Sequence, residues 1–368
     1  AAGKGFAPGE GPGGSTSDQV GAAHGGRGGG TVSTKVVYGS ATWPLTLGSG
    51  GGGGTGAGGG AIRLTIDGVL HIDGTLTADA SGRSHAGGSI LIEAERVHGA
   101  GSIQANGSPG ECPSCTATFP GGGGGRIAIY YHSRDFTGTL QAFGGSDSKG
   151  GRSTSMSGQD GTVGWFDVSD PARVRLTAGH SWRFQSSDAL DGEVVYQSID
   201  LVGTTAAMEA GVTEVRAVED FRLRRLAETN ATRLGLYAST GVVTLAAANL
   251  TVEMDCAIDA AGKGFAPGEG PGGSTSEWVG AAHGGRGGGT ASTTIVYGSA
   301  IRPLTLGSGG GGGSGGAGGG AIRLTIDGVL HIDGTLTASA TGRSHAAGSI
   351  LIEAERVQGA GSIQANGS

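Results

Sequence analysis

The sequence predicts an all-β chain: a parallel β-helix, or β-solenoid, with long glycine-rich loops, repeated as an array. Three observations predict it. Apolar residues alternate at period two through "AIRLTI", "SILIEA", "RIAIYY" and "VVTLAA", the pattern of strands with a buried face. Glycine supplies 82 of 368 residues, concentrated between those runs and without a Gly-X-Y period, so the chain is neither collagen nor a solvating low-complexity tail. Finally, Ala1 to Ser108 returns as Ala260 to Ser368 with about a dozen substitutions and one added glycine near Gly315, and a fixed-period self-match is the mark of a repeat architecture.

Each element follows the same plan. "AIRLTIDGVLHIDGTLTADA" from Ala61, "SILIEAERVHGAGSIQANG" from Ser89, "RIAIYYHSRDFTGTLQAFGG" from Arg126 and "VVTLAAANLTVEMDCAIDAAG" from Val242 each read as an alternating strand, a turn and a short second strand ending in glycine or a small residue. In the first, Ile62, Leu64 and Ile66 alternate, then Leu70, Ile72 and Leu76. "VRAVEDFRLRRLAETNATRLGLY" from Val215 has some helical spacing, but Val, Thr and Asn interrupt it and a strand pair reads better. No such unit can bury its own apolar face, so stacking supplies both the ladder and the core.

The organisation follows. Residues 1–161 form the first copy's glycine-rich coils. Residues 162–241 form an irregular β region, further coils or a small β-domain, and 242–368 form the coils of the second copy of a period near 260 residues. At about 30 residues per coil and the ~4.8 Å strand spacing, one period gives roughly eight or nine coils and about 40 Å of rod. The chain opens at Ala1 inside its own repeated motif and so reads as a segment of a longer array. Most differences between copies are mild, as in Asp18 to Glu277, Val36 to Ile295 and Ser81 to Thr341. The sharp ones, Trp43 to Arg302 and Gln19 to Trp278, are expected at exposed positions.

At "GSGGGGGTGAGGGAIRLTIDGVLHIDGTLTADA", "GGSILIEAERVHGAGSIQANG" and "GGGGGRIAIYYHSRDFTGTLQAFGG", from Gly21 to Gly161 and again from Gly280, the chain resembles large glycine-rich extracellular repeat proteins of algae, stramenopiles and plants. Among these it is most similar to the shaft proteins of flagellar hairs, the mastigonemes of heterokont algae. The resemblance implies a right-handed β-helix, in line with the crossover rule. It also implies a secreted, glycosylated, polymerising structural protein at the cell or flagellar surface, associating with itself, with neighbouring repeats and with other filament or surface proteins. No catalytic residues come with it.

Small motifs add detail. The four asparagines, Asn106, Asn230, Asn249 and Asn366, all stand in Asn-X-Ser/Thr, which marks N-glycosylation sites; asparagine capping a turn is the plainer reading. Cys112 and Cys115 lie in "GECPSCTATFP", and Cys256 stands alone. They read as a short disulfide pinning a loop, a bridge to Cys256, or buried thiols; zinc would need two more ligands near the pair. Gly9, Gly11 and Gly14 fit GxGxxG only formally, because Pro12 interrupts them and no strand or helix flanks them.

"GSGGGGGTGAGGG" and "GAAHGGRGGG" are expected to be ordered by packing between layers or subunits, because glycine allows close backbone approach but loses the most entropy on ordering. His24, Arg27, His85 and their copies His283, Arg286 and His345 read as polar pins. Asp67, Asp73 and Asp79 invite structural calcium, but "IDG" reads as a turn, the nonapeptide calcium pattern is absent, and Ser339 replaces Asp79 in the second copy. No cofactor is expected.

A net charge of −7 with interleaved signs offers no basic stripe for nucleic acid. No apolar run nears the ~18 residues of a membrane helix. Two alternatives to a filament subunit are weighed. A secreted β-helix polysaccharide lyase or hydrolase needs clustered acids, whereas Asp67, Glu93, Glu95 and Asp135 occupy different places in their coils. A surface adhesin needs a threonine-rich face, and "TLTADA" reads as lacking stacked partners.

Overall fold

The computed structural model describes residues 1–30, 36–52, 55–110, 118–149, 155–226, 231–236, 242–289, 295–311 and 316–368. Among them there is no α-helix; a 3-10 turn at Ser186–Asp188 interrupts an otherwise β chain. Two compact units result, Ala1–Trp182 and Arg183–Ser368.

The first unit runs β1 (Gly56–Ala57), β2 (Ala61–His71), β3 (Thr75–Thr77), β4 (Ser81–Gly82), β5 (Ser89–Gly99), β6 (Ser102–Gln104), β7 (Arg126–Phe136), β8 (Thr139–Gln141), β9 (Thr162–Asp167) and all but the last two residues of β10 (Arg175–Phe184). Strands β2, β5, β7 and β9 pair in parallel, each the next rung of one ladder. The register stacks like on like: Ile62, Ile90, Ile127 and Val163 form one column, and Leu64, Ile92, Ile129 and Trp165 the next. The short strands β3, β6 and β8 form a second parallel sheet with Leu76, Ile103 and Leu140 in line. Both sets of columns meet in one core, where burying an aliphatic side chain contributes roughly 1.5–3 kcal/mol.

The second unit repeats the arrangement with β11 (Glu193–Tyr196), β12 (Ser198–Val202), β13 (Thr205–Met208), β14 (Glu214–Arg224), β15 (Arg233–Gly235), β16 (Val243–Val252), β17 (Ala257–Asp259), β18 (Ala321–Ile332), β19 (Thr335–Thr337), β20 (Ser349–Gln358) and β21 (Ser362–Gln364). Parallel pairing runs β12, β14, β16, β18, β20 along the long strands and β13, β15, β17, β19, β21 along the short ones. Val215, Leu245, Leu324 and Ile352 form one column here, and Leu234, Ile258, Leu336 and Ile363 another. Within the stretch from Val215, the residues in Glu214–Arg224 and Arg233–Gly235 are thus strand.

Three features differ from the sequence reading. Parallel stacking does not run uninterrupted through the first unit, because β10 pairs antiparallel with β9, from Arg175 opposite Asp167 to His180 opposite Thr162. Only residues 168–174 join them, and a parallel crossover needs about a dozen residues, so the chain folds back.

The first "IDG", Ile66 to Gly68, is not a turn. Strand β2 continues through it, with a bulge against β5 between Ile66 and Val69, and a side chain at Gly68 would meet nothing. An extra residue in one strand lets pairing resume beyond it. The second "IDG", Ile72 to Gly74, does separate β2 from β3. Thirdly, Thr75 does have stacked partners: it registers with Ser102 and Ser102 with Thr139, whose Oγ1 donates to Ser102 Oγ at 3.0 Å. One hydroxyl column across three rungs results.

A similar bulge in the second unit is held by a side chain. Asn249 Oδ1 accepts from Val329 N–H at 3.0 Å, and its Nδ2 donates to Asp220 Oδ1 at 3.1 Å, so one amide ties three rungs where the register shifts. Asn249→Ala strands a part-buried donor, and an unmade bond of this kind costs roughly 1–3 kcal/mol. The expected result is a lower urea midpoint for the second unit; Asn249→Asp keeps the acceptor for Val329 N–H but sets a second carboxylate against Asp220 Oδ1, so at neutral pH it is expected to lose no less than Asn249→Ala.

Candidate functional site

The glycine loops are the part of the chain with the most specific construction. Residues 48–52 and 55–60 lie against Ala1–Ser17 on one side and Ala78–Gly88 on the other. The bonds that fix them are backbone to backbone: Gly5 N to Gly58 O at 2.7 Å, Phe6 N to Gly48 O at 3.0 Å, Gly50 N to Glu10 O at 3.0 Å and Gly59 N to Ala86 O at 2.9 Å. The contacts are close enough to exclude side chains. A Cβ on Gly59 would stand 1.8 Å from Ala78 O, and one on Gly58 would stand 1.9 Å from Gly48 O. The loops are ordered within the chain, between its layers, with the expected backbone bonds.

Buried polar side chains pin these layers. His24 is fully buried; its Nδ1 lies 2.7 Å from Gly87 O and its Nε2 2.8 Å from Thr46 Oγ1. Facing a carbonyl, Nδ1 carries the proton and Nε2 accepts from Thr46. The Tyr38 ring packs 4.8 Å from the imidazole, and its hydroxyl donates to Leu47 O at 2.5 Å beside Ser49 Oγ at 2.7 Å. Burial holds the His24 pKa down at about 3, with the Arg126 charge adding to the effect, and burial pushes Tyr38 up to about 12.

The second copy is built alike. His283 meets Ala347 O at 2.8 Å and Thr305 Oγ1 at 2.7 Å, with Tyr297 on Leu306 O at 2.6 Å. His85 and His345 each accept a backbone N–H on Nδ1 at 2.8 Å, from Gly51 and Gly310. These four histidines are pins; Arg27 and Arg286 are exposed.

Sequence reasoning missed Arg126 as a functional residue. It is fully buried at the head of β7, where Nε donates to Tyr38 O at 2.9 Å and Nη1 to Thr162 Oγ1 at 3.3 Å. The signal was available: β2 and β5 begin with Ala61 and Ser89, while β7 alone among these three follows five glycines with a cation. Tyr38, Thr46 and Ser49 carried no such signal.

The acids lie on exposed faces, paired between rungs: Arg63 with Glu93 at 3.2 Å, Arg96 with Asp135 at 2.7 Å, His132 with Glu95 at 3.5 Å and Arg323 with Glu353 at 3.4 Å. Asp73 Oδ1 accepts from Ala100 N at 3.0 Å, and that bond foremost holds its carboxyl below the usual range. Asp79 Oδ1 accepts from Asn106 N at 2.6 Å; Ser339 Oγ does the same for Asn366 at 3.2 Å. The exchange of Asp for Ser thus keeps an acceptor in place. Among the described residues no three His, Cys, Asp or Glu side chains gather as a metal site.

Of the sequons, Asn106 is half-buried: Oδ1 accepts from Phe143 N at 2.9 Å, and Nδ2 donates to Gln141 Oε1 at 3.4 Å. Asn249 ties the bulge and Asn366 is exposed. Asn230, Cys112 and Cys115 lie outside the described residues. Cys256 is a free, buried thiol whose pKa burial raises. A bridge from it to another chain would require its rung to open. Alkylation of the native chain followed by peptide mapping is expected to leave Cys256 unmodified until denaturant is added. Trp43, Trp278, Gln19 and Arg302, the sharp differences between copies, are all exposed.

Comparison with protein-family models, with curated proteins and with solved structures returns no match. Fold and site therefore rest on the chain's own geometry.

Proposed function

We propose that this chain is a structural subunit of an extracellular glycoprotein filament, of the flagellar-hair type. In it the parallel rungs are coils of a right-handed β-solenoid, and tandem repeats with self-association extend it. The observation that carries the reading is the stacking of one strand plan on itself: the repeated units fold into parallel rungs whose apolar columns, such as Ile62, Ile90, Ile127 and Val163 or Val215, Leu245, Leu324 and Ile352, run from strand to strand. Such units cannot bury their own apolar faces and gain core and ladder by stacking, and contacts that do not close generate fibres.

The acids support a structural rather than a catalytic role, since those named above serve as ion pairs and backbone acceptors between rungs. No catalytic residue is proposed. Glycans are proposed at the sequons; a glycan on Asn106 or Asn249 displaces a bond between rungs. Intact mass before and after glycosidase, with peptide mapping, checks this. For assembly, electron microscopy and sedimentation of the secreted chain are expected to show fibres or end-to-end oligomers that lengthen with concentration. A chain that stays monomeric throughout overturns the filament.

A further inference from the structure

Residues 38–49 form a strap across the outer flank of the first unit's long-strand sheet. Tyr130 Oη donates to Thr42 O at 2.8 Å, Ser89 Oγ to Thr46 O at 2.6 Å and Arg126 Nε to Tyr38 O at 2.9 Å. On this strap Trp43 stays 40% exposed. A large aromatic ring left in water is burial forgone, yet this one is fixed in place. Its backbone N–H donates to Ser40 Oγ at 2.8 Å, Pro44 follows it, and its ring lies edge-to-face with Tyr130, 5.7 Å between centroids. Tyr130 in turn stacks at 4.5 Å on the buried Phe166. The indole is a rigid platform at the surface.

Polar groups border it. The Arg63 guanidinium carbon lies 5.3 Å from the indole centroid, and Arg63 Nη2 donates to Glu93 Oε2 at 3.2 Å, which also accepts from Thr65 Oγ1 at 3.1 Å. Among the described residues Glu93 Oε1 and the other N–H groups of Arg63 take no further bond. A flat apolar ring thus stands beside a fixed acceptor and a fixed donor that still have bonds to make, and their charges cancel.

The place is open along the flank of the sheet, whichever rungs lie beside it. Trp43 is exposed with β5, β7 and β9 stacked beyond β2, and its counterpart Arg302 is exposed with β14 and β16 stacked before β18. The second copy keeps the turn, with Arg302 N on Ser299 Oγ at 3.0 Å, and the ion pair, with Arg323 Nη2 on Glu353 Oε2 at 3.4 Å, but it has no ring there.

From this we infer that Trp43, Arg63 and Glu93 form a binding site for a neutral sugar. The C–H face of a pyranose lies on the indole, while its hydroxyls donate to Glu93 Oε1 and accept from Arg63. A pyranose joins an apolar face to a rim of groups that both donate and accept, which is the complement of an aromatic ring beside a carboxylate and a guanidinium. The pair is neutral overall, so an anionic sugar gains nothing from it. The same chemistry serves a free polysaccharide or a glycan carried by another copy of this chain. The site attaches the chain sideways, and it holds whether or not the chain polymerises.

For the test, the full chain is treated with glycosidase and titrated by calorimetry with cellohexaose, with a high-mannose N-glycan and with an oligogalacturonate. One saturating site per chain for a neutral sugar is expected, accompanied by a change in tryptophan fluorescence. Binding of cellohexaose assigns a polysaccharide, and binding of the N-glycan alone assigns a neighbour's glycan; either supports the site. Trp43→Arg, which gives the first copy the second copy's residue, is expected to weaken binding at least about tenfold with an unchanged urea midpoint, because an exposed stacking surface is removed. Trp43→Phe keeps an aromatic face and is expected to hold affinity within about threefold while the fluorescence change disappears. Glu93→Gln keeps the outline but trades a charged acceptor for a neutral one, and is expected to weaken binding about threefold or more. No binding of either neutral sugar up to about 10 mM overturns the site. So does tighter binding of the oligogalacturonate, equal affinity in Trp43→Arg or in Glu93→Gln, or a fluorescence change that survives in Trp43→Phe.

Discussion

Gly124→Ala is expected to unfold the first unit or to lower its stability by more than about 4 kcal/mol, the range in which single substitutions break a structure. The added Cβ would lie 1.9 Å from Ala142 O and 2.5 Å from Gly161 N, two atoms that are bonded to each other at 2.7 Å. No side chain stands there to rotate away. Relief requires parting the rungs, which also breaks Gly124 N to Gln159 O and Gly26 N to Gly124 O, both 2.9 Å. Gly284→Ala, in a loop of the same composition, meets nothing and is expected to stay within about 0.5 kcal/mol of the parent, helped by the lower entropy of the unfolded chain. Urea titration of both variants, followed by near-ultraviolet circular dichroism, separates them. Equal losses would mean that the glycine loops do not pack on backbone, and the ordered stack would be wrong.

That contrast also marks what the sequence could and could not disclose. The strands were legible because alternation is a local pattern: Ile62, Leu64 and Ile66 show which face is buried wherever the neighbours lie. The columns followed from the shared plan of the units. The bulge at Asp67–Gly68 was not legible, since Ile-Asp-Gly has the same letters as the true turn at Ile72–Gly74, and only pairing with β5 tells them apart. The reversal between β9 and β10 depends on a short connection and on which edge is nearest, which periodicity does not record. The glycine stack left the least trace, for a physical reason. Contacts between side chains constrain residue type at both ends, whereas contacts between backbones constrain only the absence of a side chain. A run of glycine therefore reads alike whether it is buried against Ala78 and Ala142 or open to solvent as at Gly284 and Gly285. Arg126 was the one polar letter announcing that such a run is seated, and its meaning appears only once Tyr38 O is seen to receive it.

Acid is expected to destabilise the first unit well before its carboxylates titrate, through His24. The imidazole is fully buried and neutral, with a pKa near 3 in the fold against 6.5 in the unfolded chain. A folded pKa below the unfolded one means that the unfolded state binds the extra proton first. The contribution is thus complete above pH 6.5 and is lost as pH falls towards 3. At 1.36 kcal/mol per unit, the loss is about 2 kcal/mol by pH 5 and approaches about 5 kcal/mol by pH 3. His85, whose pKa burial also lowers, acts with the same sign. The window from pH 6.5 to 5 isolates the histidines, because most carboxylates remain charged there. His24→Gln keeps a donor for Gly87 O and removes the titration. Its urea midpoint is expected to be lower than the parent's at pH 7 but to fall less steeply between pH 6.5 and 5. An unchanged slope in His24→Gln would show that the imidazole is not held neutral between the layers. The glycine stack would then lose its central pin, because the bonds to Gly87 O and Thr46 Oγ1 require one proton on Nδ1 and none on Nε2.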